Sequence, residues 1–225
     1  MKIFKNRAFT LAEVLITLGI IGVVAAITIP SLITDCKAII LRSQFQKAYA
    51  KVQLVHRQMV ANDEYWPPEI AQSDNNYYKA FPGMIAKYIA GAHSSSESFS
   101  GNGNIQKKFE SLGYTDMNGN VTVLIRWYID DGYVEFPNSE ILWIDNGNGQ
   151  QAITVDINGY KNKPNKWGYD LFSFFYDEEK GTFVPDTKGD CNNIKPSWGD
   201  NGRSCASKAA KDPDYFKKLL RKQKV

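Results

Sequence analysis

Apolar and polar positions divide the chain into three stretches with different periods. After a polar, basic start at Met1–Ala8, the run Phe9–Ile33 (FTLAEVLITLGIIGVVAAITIPSLI) is apolar on every side and carries one charge, Glu13. As a helix these 25 residues reach about 37 Å at about 1.5 Å per residue, enough to cross a bilayer with some tilt. A helical period follows. Leu41, Phe45, Ala48, Val52, Val55 and Met59 form one stripe, with Arg42, Gln46, Lys47, Lys51 and Arg57 mostly off it. Pro30 is expected to bend this helix rather than end it, because the helical pattern resumes beyond it. The two stretches therefore predict one long bent helix from Phe9 to about Ala61, ended by Asn62-Asp63 and then Trp66-Pro67-Pro68.

The third stretch is built of shorter pieces. Tyr77, Tyr78, Phe81, Ile85, Tyr88 and Ile89 recur at helical intervals within Asn76–Gly91, with Pro82-Gly83 as an expected interruption. His93–Asn104 is rich in Ser, Gly and Asn and reads as a surface loop, and Ile105–Leu112 as a short helix. From Val121 the pattern becomes that of strands: Val121–Ile129, Tyr133–Phe136, Ile141–Ile144, Ala152–Ile157, Leu171–Tyr176 and Thr182–Val184. Between them stand turn formers such as Asp131-Gly132, Asn146-Gly147-Asn148-Gly149, Asn158-Gly159 and Lys180-Gly181. This spacing predicts an antiparallel meander with one apolar face, and the Leu41–Met59 stripe is the natural cover for that face. The fold class is thus α+β: a long N-terminal helix, transmembrane in its first half, packed on a C-terminal antiparallel β-sheet. The expected divisions are 1–8, a basic leader; 9–33, the membrane half of the helix; 34–61, its amphipathic half; and 62–225, a globular domain.

Charge sharpens the reading of the N-terminus. The chain has 27 Lys+Arg against 24 Asp+Glu, and Lys2, Lys5 and Arg7 account for the whole surplus. Beyond Ala8 the net charge is zero, so no overall basic surplus remains to attract nucleic acid. A basic cluster ahead of an apolar run places Met1–Ala8 on the cytoplasmic side and the domain across the membrane. A secretory signal has a core of about 7–15 residues, shorter than this one. Glu13 is the anomaly. A carboxylate in that position costs about 2.5–3.5 kcal/mol on insertion scales, so it calls for a partner.

Arg7-Ala8-Phe9-Thr10-Leu11-Ala12-Glu13-Val14-Leu15-Ile16 resembles the processing site of type IV prepilins and type II secretion pseudopilins. The resemblance covers the first 25–30 residues or so. It implies a cut between Ala8 and Phe9 by a prepilin peptidase, N-methylation of Phe9, and retention of Glu13 in the stem. Pro30 matches the helix-bending proline of such stems. One position departs from the pattern: Ala8 stands where the family usually has Gly. Cleavage would leave a positive amine on Phe9. In a staggered stack, that amine can meet Glu13 of the neighbouring copy, which turns two isolated charges into one pair and fixes the axial register. A pilin-like fold follows from the resemblance. Val155-Asp156-Ile157-Asn158-Gly159 and Pro164–Phe174 add a second, independent likeness to the sheet region of pseudopilin-like proteins, where a D-x-N-G turn leads into a G-x-D-x-F-x-F strand.

The candidate chemistry is sparse. Cys191 and Cys205 close a loop through Trp198, and in an exported chain they read as a disulfide. In the resemblance such a loop pins the variable edge of the domain. Cys36 is left over at the membrane exit. Some major pseudopilins hold calcium in the sheet region, and that resemblance makes Asp156, Asn158 and Asp170 a weak candidate metal site. Their spacing fails the EF-hand pattern, since Gly159 and Trp167 stand in the wrong places, and such residues serve turns. No cofactor is expected. His56 reads as a flank or interface residue rather than a base, and Asp130-Asp131 and Glu178-Glu179 as turn acids. Trp127, Tyr128, Tyr133 and Trp143 read as sheet packing. No nucleophile elbow, zinc-protease helix or phosphate loop is present, so the chain is not expected to be an enzyme.

The expected role is that of a structural subunit, minor rather than major for its length. It would be made in the inner membrane with its domain outside the cytoplasm, and then held in a periplasmic pseudopilus or a surface pilus. The expected partners are the prepilin peptidase, other pilin or pseudopilin subunits and the assembly platform. The rival role is a membrane-anchored or pilus-tip ligand-binding module, an adhesin or a DNA- or carbohydrate-binding domain, that works through the Cys191–Cys205 loop and exposed aromatics.

Overall fold

The computed structural model describes residues 10–65, 75–95, 110–119, 131–145, 151–191 and 201–222. Helix α1 (Leu11–Ala61) runs unbroken through Pro30. It is followed by α2 (Asn75–Lys87) and by six strands: β1 (His93–Ser95), β2 (Tyr133–Glu135), β3 (Ile141–Asp145), β4 (Ala152–Asp156), β5 (Leu171–Asp177) and β6 (Thr182–Pro185). Two short helices close the described chain, α3 (Cys205–Lys211) and α4 (Tyr215–Lys222). The sheet is an antiparallel meander in the order β1-β2-β3-β4-β5-β6. The long helix packed on this sheet is the expected α+β, pilin-like architecture.

The stripe predicted for α1 is buried in full: Leu41, Phe45, Ala48, Val52, Val55 and Met59, extended at its start by Thr34 and Ala38. Opposite it, the pleat sends Leu142, Val155 and Phe172 to one face in a cross-strand row, with Ile144, Ile153 and Phe174 beside them. Phe45 meets the edge of Phe172 at 4.9 Å between centroids, and Tyr49 stacks on Phe174 at 5.1 Å. These aromatic contacts seat the helix on β5.

Several expectations need correction. His93–Ser95 is a strand at the sheet edge, because pairing with β2 holds this polar segment extended. Pro82 lies inside α2 without interrupting it. Its missing N–H removes one helical hydrogen bond, and burial of Phe81 and Ile85 secures the helix. The sheet is covered on both faces. Ile141, Trp143 and Leu171 point away from α1 and form a second cluster with Tyr114 and Trp167. In that layer Thr154 and Ser173 share a hydrogen bond of 2.8 Å, and Trp167 Nε1 donates to Ser173 Oγ at 3.1 Å. Trp143 is thus a packing residue, and Tyr133 lies beside it at 5.4 Å. The expected strand Val121–Ile129, with Trp127 and Tyr128, lies outside the described residues, as do Trp66–Pro68 and most of Ile105–Leu112. Residues 110–112 are helical.

Candidate functional site

From Leu11 to Ile33 every side chain of α1 is exposed apart from a half-buried Ala25. Leu11, Ile16, Ile21, Val23, Ile27 and Leu32 are the most exposed of this apolar surface. An apolar helix exposed all round is a surface for lipid or for neighbouring stems, and α1 is long and apolar enough to span a membrane. Ala8 and Phe9, the expected cut, lie outside the described residues. Cys36 is an exposed free thiol just past the apolar surface.

Glu13 occupies the third position of α1, and Thr10 caps the helix. Thr10 Oγ1 accepts from Glu13 N at 3.2 Å, while Glu13 Oε2 accepts from Thr10 N at 2.8 Å and from Thr10 Oγ1 at 2.9 Å. This reciprocal capping box satisfies two backbone donors that a helix start leaves open. The sequence carries this signal as Thr10-Leu11-Ala12-Glu13, the spacing of a capping box. Glu13 therefore has a local reason to exist, beside any partner in another subunit.

The D-x-N-G turn of the sheet region has a structural use. Asp156 accepts from the N–H groups of Asn158 (3.3 Å) and Gly159 (2.9 Å) and from the Tyr114 hydroxyl (2.5 Å). Asp170 accepts from the N–H of Asn165 at 2.9 Å, from that of Lys166 at 2.5 Å and from Asn158 Nδ2 at 3.4 Å. Burial raises the carboxyl of Asp156 to about 7 and that of Asp170 to about 6. The structure brings Asp156, Asn158 and Asp170 together, but N–H and O–H donors already occupy the carboxylates. The buried amide oxygens of Asn158 and Asn165 lack a donor. Two such oxygens fall short of the six to eight that calcium takes, so this donor set does not fit the ion.

The same turn anchors the C-terminal segment. Cys191 and Cys205 are joined as a disulfide. Gly168, at φ +76°, passes so close that a Cβ there would lie 2.7 Å from Cys205 Sγ, and its carbonyl accepts from the Tyr215 hydroxyl at 2.6 Å. Gly202, at φ +107°, would place a Cβ 2.7 Å from Trp167 Cβ. Neither position has room for a side chain. Trp198 lies outside the described residues.

His56 is buried, which corrects its reading as a flank residue. Its ring lies 4.4 Å from Tyr65 and 5.5 Å from both Tyr176 and Phe183, and neither ring nitrogen has a hydrogen-bond partner among the described residues. Lying next to Val55 on the stripe side, it was within reach of the helical period, but its polarity set it aside. Burial lowers its pKa from the ordinary 6.5. The neutral ring is favoured in the fold, so its share of stability is intact above pH 6.5 and is lost as the pH falls below it. His56→Leu is expected to raise stability by about 1 kcal/mol, since it removes two unsatisfied buried nitrogens. The gain over wild type should grow from pH 7 to pH 5 as the unfolded imidazole charges. Urea unfolding at the two pH values measures this, and a gap that shrinks on acidification contradicts the account. His56 also lines an open cleft of about 440 Å³ between the last turns of α1 and the β5–β6 turn, with Gln53, Arg57 and Thr182. Among the described residues that line it, none is a carboxylate, a lysine or a second histidine.

Comparison with known proteins bears on the N-terminus alone. Residues 3–29 match the model of the prokaryotic N-terminal methylation motif. No curated protein and no solved structure matches the chain. The matched segment holds Ala8, Phe9 and Glu13, and it ends one residue before Pro30. The chain therefore carries the prepilin-type cleavage and methylation segment of type IV pilins and pseudopilins, which supports its being a substrate of a prepilin peptidase.

Proposed function

We propose that this protein is a structural subunit, cut between Ala8 and Phe9 and held in the inner membrane by residues 9–33. It assembles through α1 into a type II secretion pseudopilus or a type IV pilus, as a minor component. The observation that carries this reading is the methylation motif at 3–29 leading into a helix whose first half is an exposed apolar rod and whose second half is seated on a sheet. Such a rod is stable only when lipid or identical rods surround it. The work is mechanical and calls for no cofactor. Its partners are the prepilin peptidase, neighbouring subunits and the assembly platform.

Intact mass of the protein extracted from membranes tests the processing step. The expected polypeptide starts at Phe9, lacks Met1–Ala8 and carries one additional methyl group. A protein that still starts at Met1, in cells that process other prepilins, refutes the reading.

A further inference from the structure

The charge beyond Ala8 cancels overall but is unevenly distributed. Between Cys205 and Lys222 there are six basic residues, Lys208, Lys211, Lys217, Lys218, Arg221 and Lys222, and two acidic ones, Asp212 and Asp214. Helix α4 sorts them by side. Tyr215, Phe216, Leu219 and Leu220 are buried, and the charged positions between them form the outer face. Three contacts fix its direction. Arg42 Nη1 donates to the Pro213 carbonyl at 3.2 Å, just ahead of α4. Lys217 Nζ and Arg221 Nη2 lie 3.0 and 3.6 Å from the carboxylate of Asp35. So α4 starts level with Arg42 and ends level with Asp35, running antiparallel to α1 and back toward the apolar rod.

Asp35 is the first charged residue after Glu13, with exposed Ile39 and Ile40 a turn further on. Asp35 lies two residues past Ile33, the end of the uninterrupted exposed apolar run. That is about 3 Å along the helix axis, within a headgroup layer roughly 5–7 Å deep on each side of the hydrocarbon. The end of α4 is therefore at headgroup depth. Its ion pairs are open ones, with the side chains of Lys218 and Arg221 62% and 57% exposed, and exposed pairs of this kind exchange readily for other anions. Lys222 is exposed and has no ion-pair partner among the described residues.

We propose that the basic face of α4 docks on anionic phospholipid headgroups of the bilayer that α1 crosses, and so holds the globular domain upright on its stem. Long Lys and Arg side chains reach phosphates from the level of Asp35, and a cluster of this size beside a membrane span is drawn to anionic lipid. The proposal rests on residues 9–33 being the membrane span.

The test uses the full chain, one copy per nanodisc, in phosphatidylcholine alone or mixed with phosphatidylglycerol. Lysine acetylation rates are read by mass spectrometry. Lys180 is the distal control, because the β5–β6 turn lines the cleft at the far end of α1. Lys218 and Lys222 are expected to react about five-fold more slowly in the anionic discs, with Lys180 unchanged, and salt on the order of 1 M should remove the difference. Equal rates in both discs overturn the proposal, as does equal slowing at Lys180. Slowing that needs a second copy or added nucleic acid, and not anionic lipid, overturns it in favour of that partner. A chain that elutes free of discs refutes the membrane span itself, an outcome distinct from a chain that stays embedded with Lys218 and Lys222 fully reactive.

Discussion

Glu13→Gln is expected to abolish incorporation into filaments while processing and folding proceed as in wild type. The capping box makes this substitution informative. A glutamine oxygen still accepts from the Thr10 N–H, as Glu13 Oε2 does at 2.8 Å, so the start of α1 keeps its cap. Only the charge is lost. After the cut, the Phe9 amine is a positive group at the edge of hydrocarbon, four residues from Glu13. Without a carboxylate in the adjoining subunit, that amine enters the stack unpaired, at a cost of about 2.5–3.5 kcal/mol by insertion scales. The cost recurs at every contact between copies, so a polymer amplifies it. Glu13→Ala removes the charge and the Glu13 half of the capping box, leaving Thr10 Oγ1 on the backbone N–H of residue 13, and should fail in the same way. The measurement is the share of the variant in the sheared filament fraction, with intact mass as the control for cleavage. Normal incorporation of the glutamine variant would show that Glu13 serves the local cap alone.

The capping box gives Glu13 a second, local role beside its pairing with a neighbouring subunit, and the Thr10-x-x-Glu13 spacing carries that role in the sequence. Other features were legible for plain physical reasons. The α1 stripe has six positions at spacings of three and four, long enough for the period to stand out from chance, and all six are buried. The meander could be read because turn residues separate every described strand from β2 to β6. The helices α3 and α4 were not seen. Each is only seven or eight residues long, too short to show a period, and their lysines masked Phe216, Leu219 and Leu220. Tertiary packing against α1 and the tie from Tyr215 to Gly168 make them helices, and neither tie is visible in a local window. β1 was missed for a similar cause: Ser94 and Ser95 have no strand propensity, and only β2 holds them. The second face of the sheet escaped because Asp156, Thr154 and Ser173 alternate as a solvent-facing row would, yet all three are buried under Tyr114 and Trp167.

Arg203→Met is expected to cost about 3–5 kcal/mol, the range for removing one member of a buried ion pair. Arg203 Nη2 lies 2.6 Å from Asp186 Oδ2, and the two side chains are 4% and 0% exposed. Asp186 leaves β6 with its backbone N–H on the Ser173 carbonyl, and its Oδ1 accepts from Lys188 N at 2.7 Å, so it cannot turn to solvent without undoing the strand end. Burial pushes its carboxyl above the ordinary range, and Arg203 opposes that push. With methionine in place the push is unopposed, and Asp186 is driven to take up a proton. The sign of the pH effect follows. The native state of the variant binds that proton more readily than the unfolded chain, so the deficit is full near pH 8 and shrinks as the pH falls. Urea unfolding at pH 8 and at pH 5, followed by the fluorescence of buried Trp143 and Trp167, reads both effects. A loss below about 1 kcal/mol at pH 8, or a deficit that grows in acid, contradicts the assignment. Replacing both partners by apolar residues separates stability from placement. If Asp186→Leu with Arg203→Met recovers most of the loss, the net worth of the pair is small. Its use is then to fix where the segment from Asn201 to Arg203 meets the end of β6, beside the disulfide that ties the C-terminal helices to the sheet.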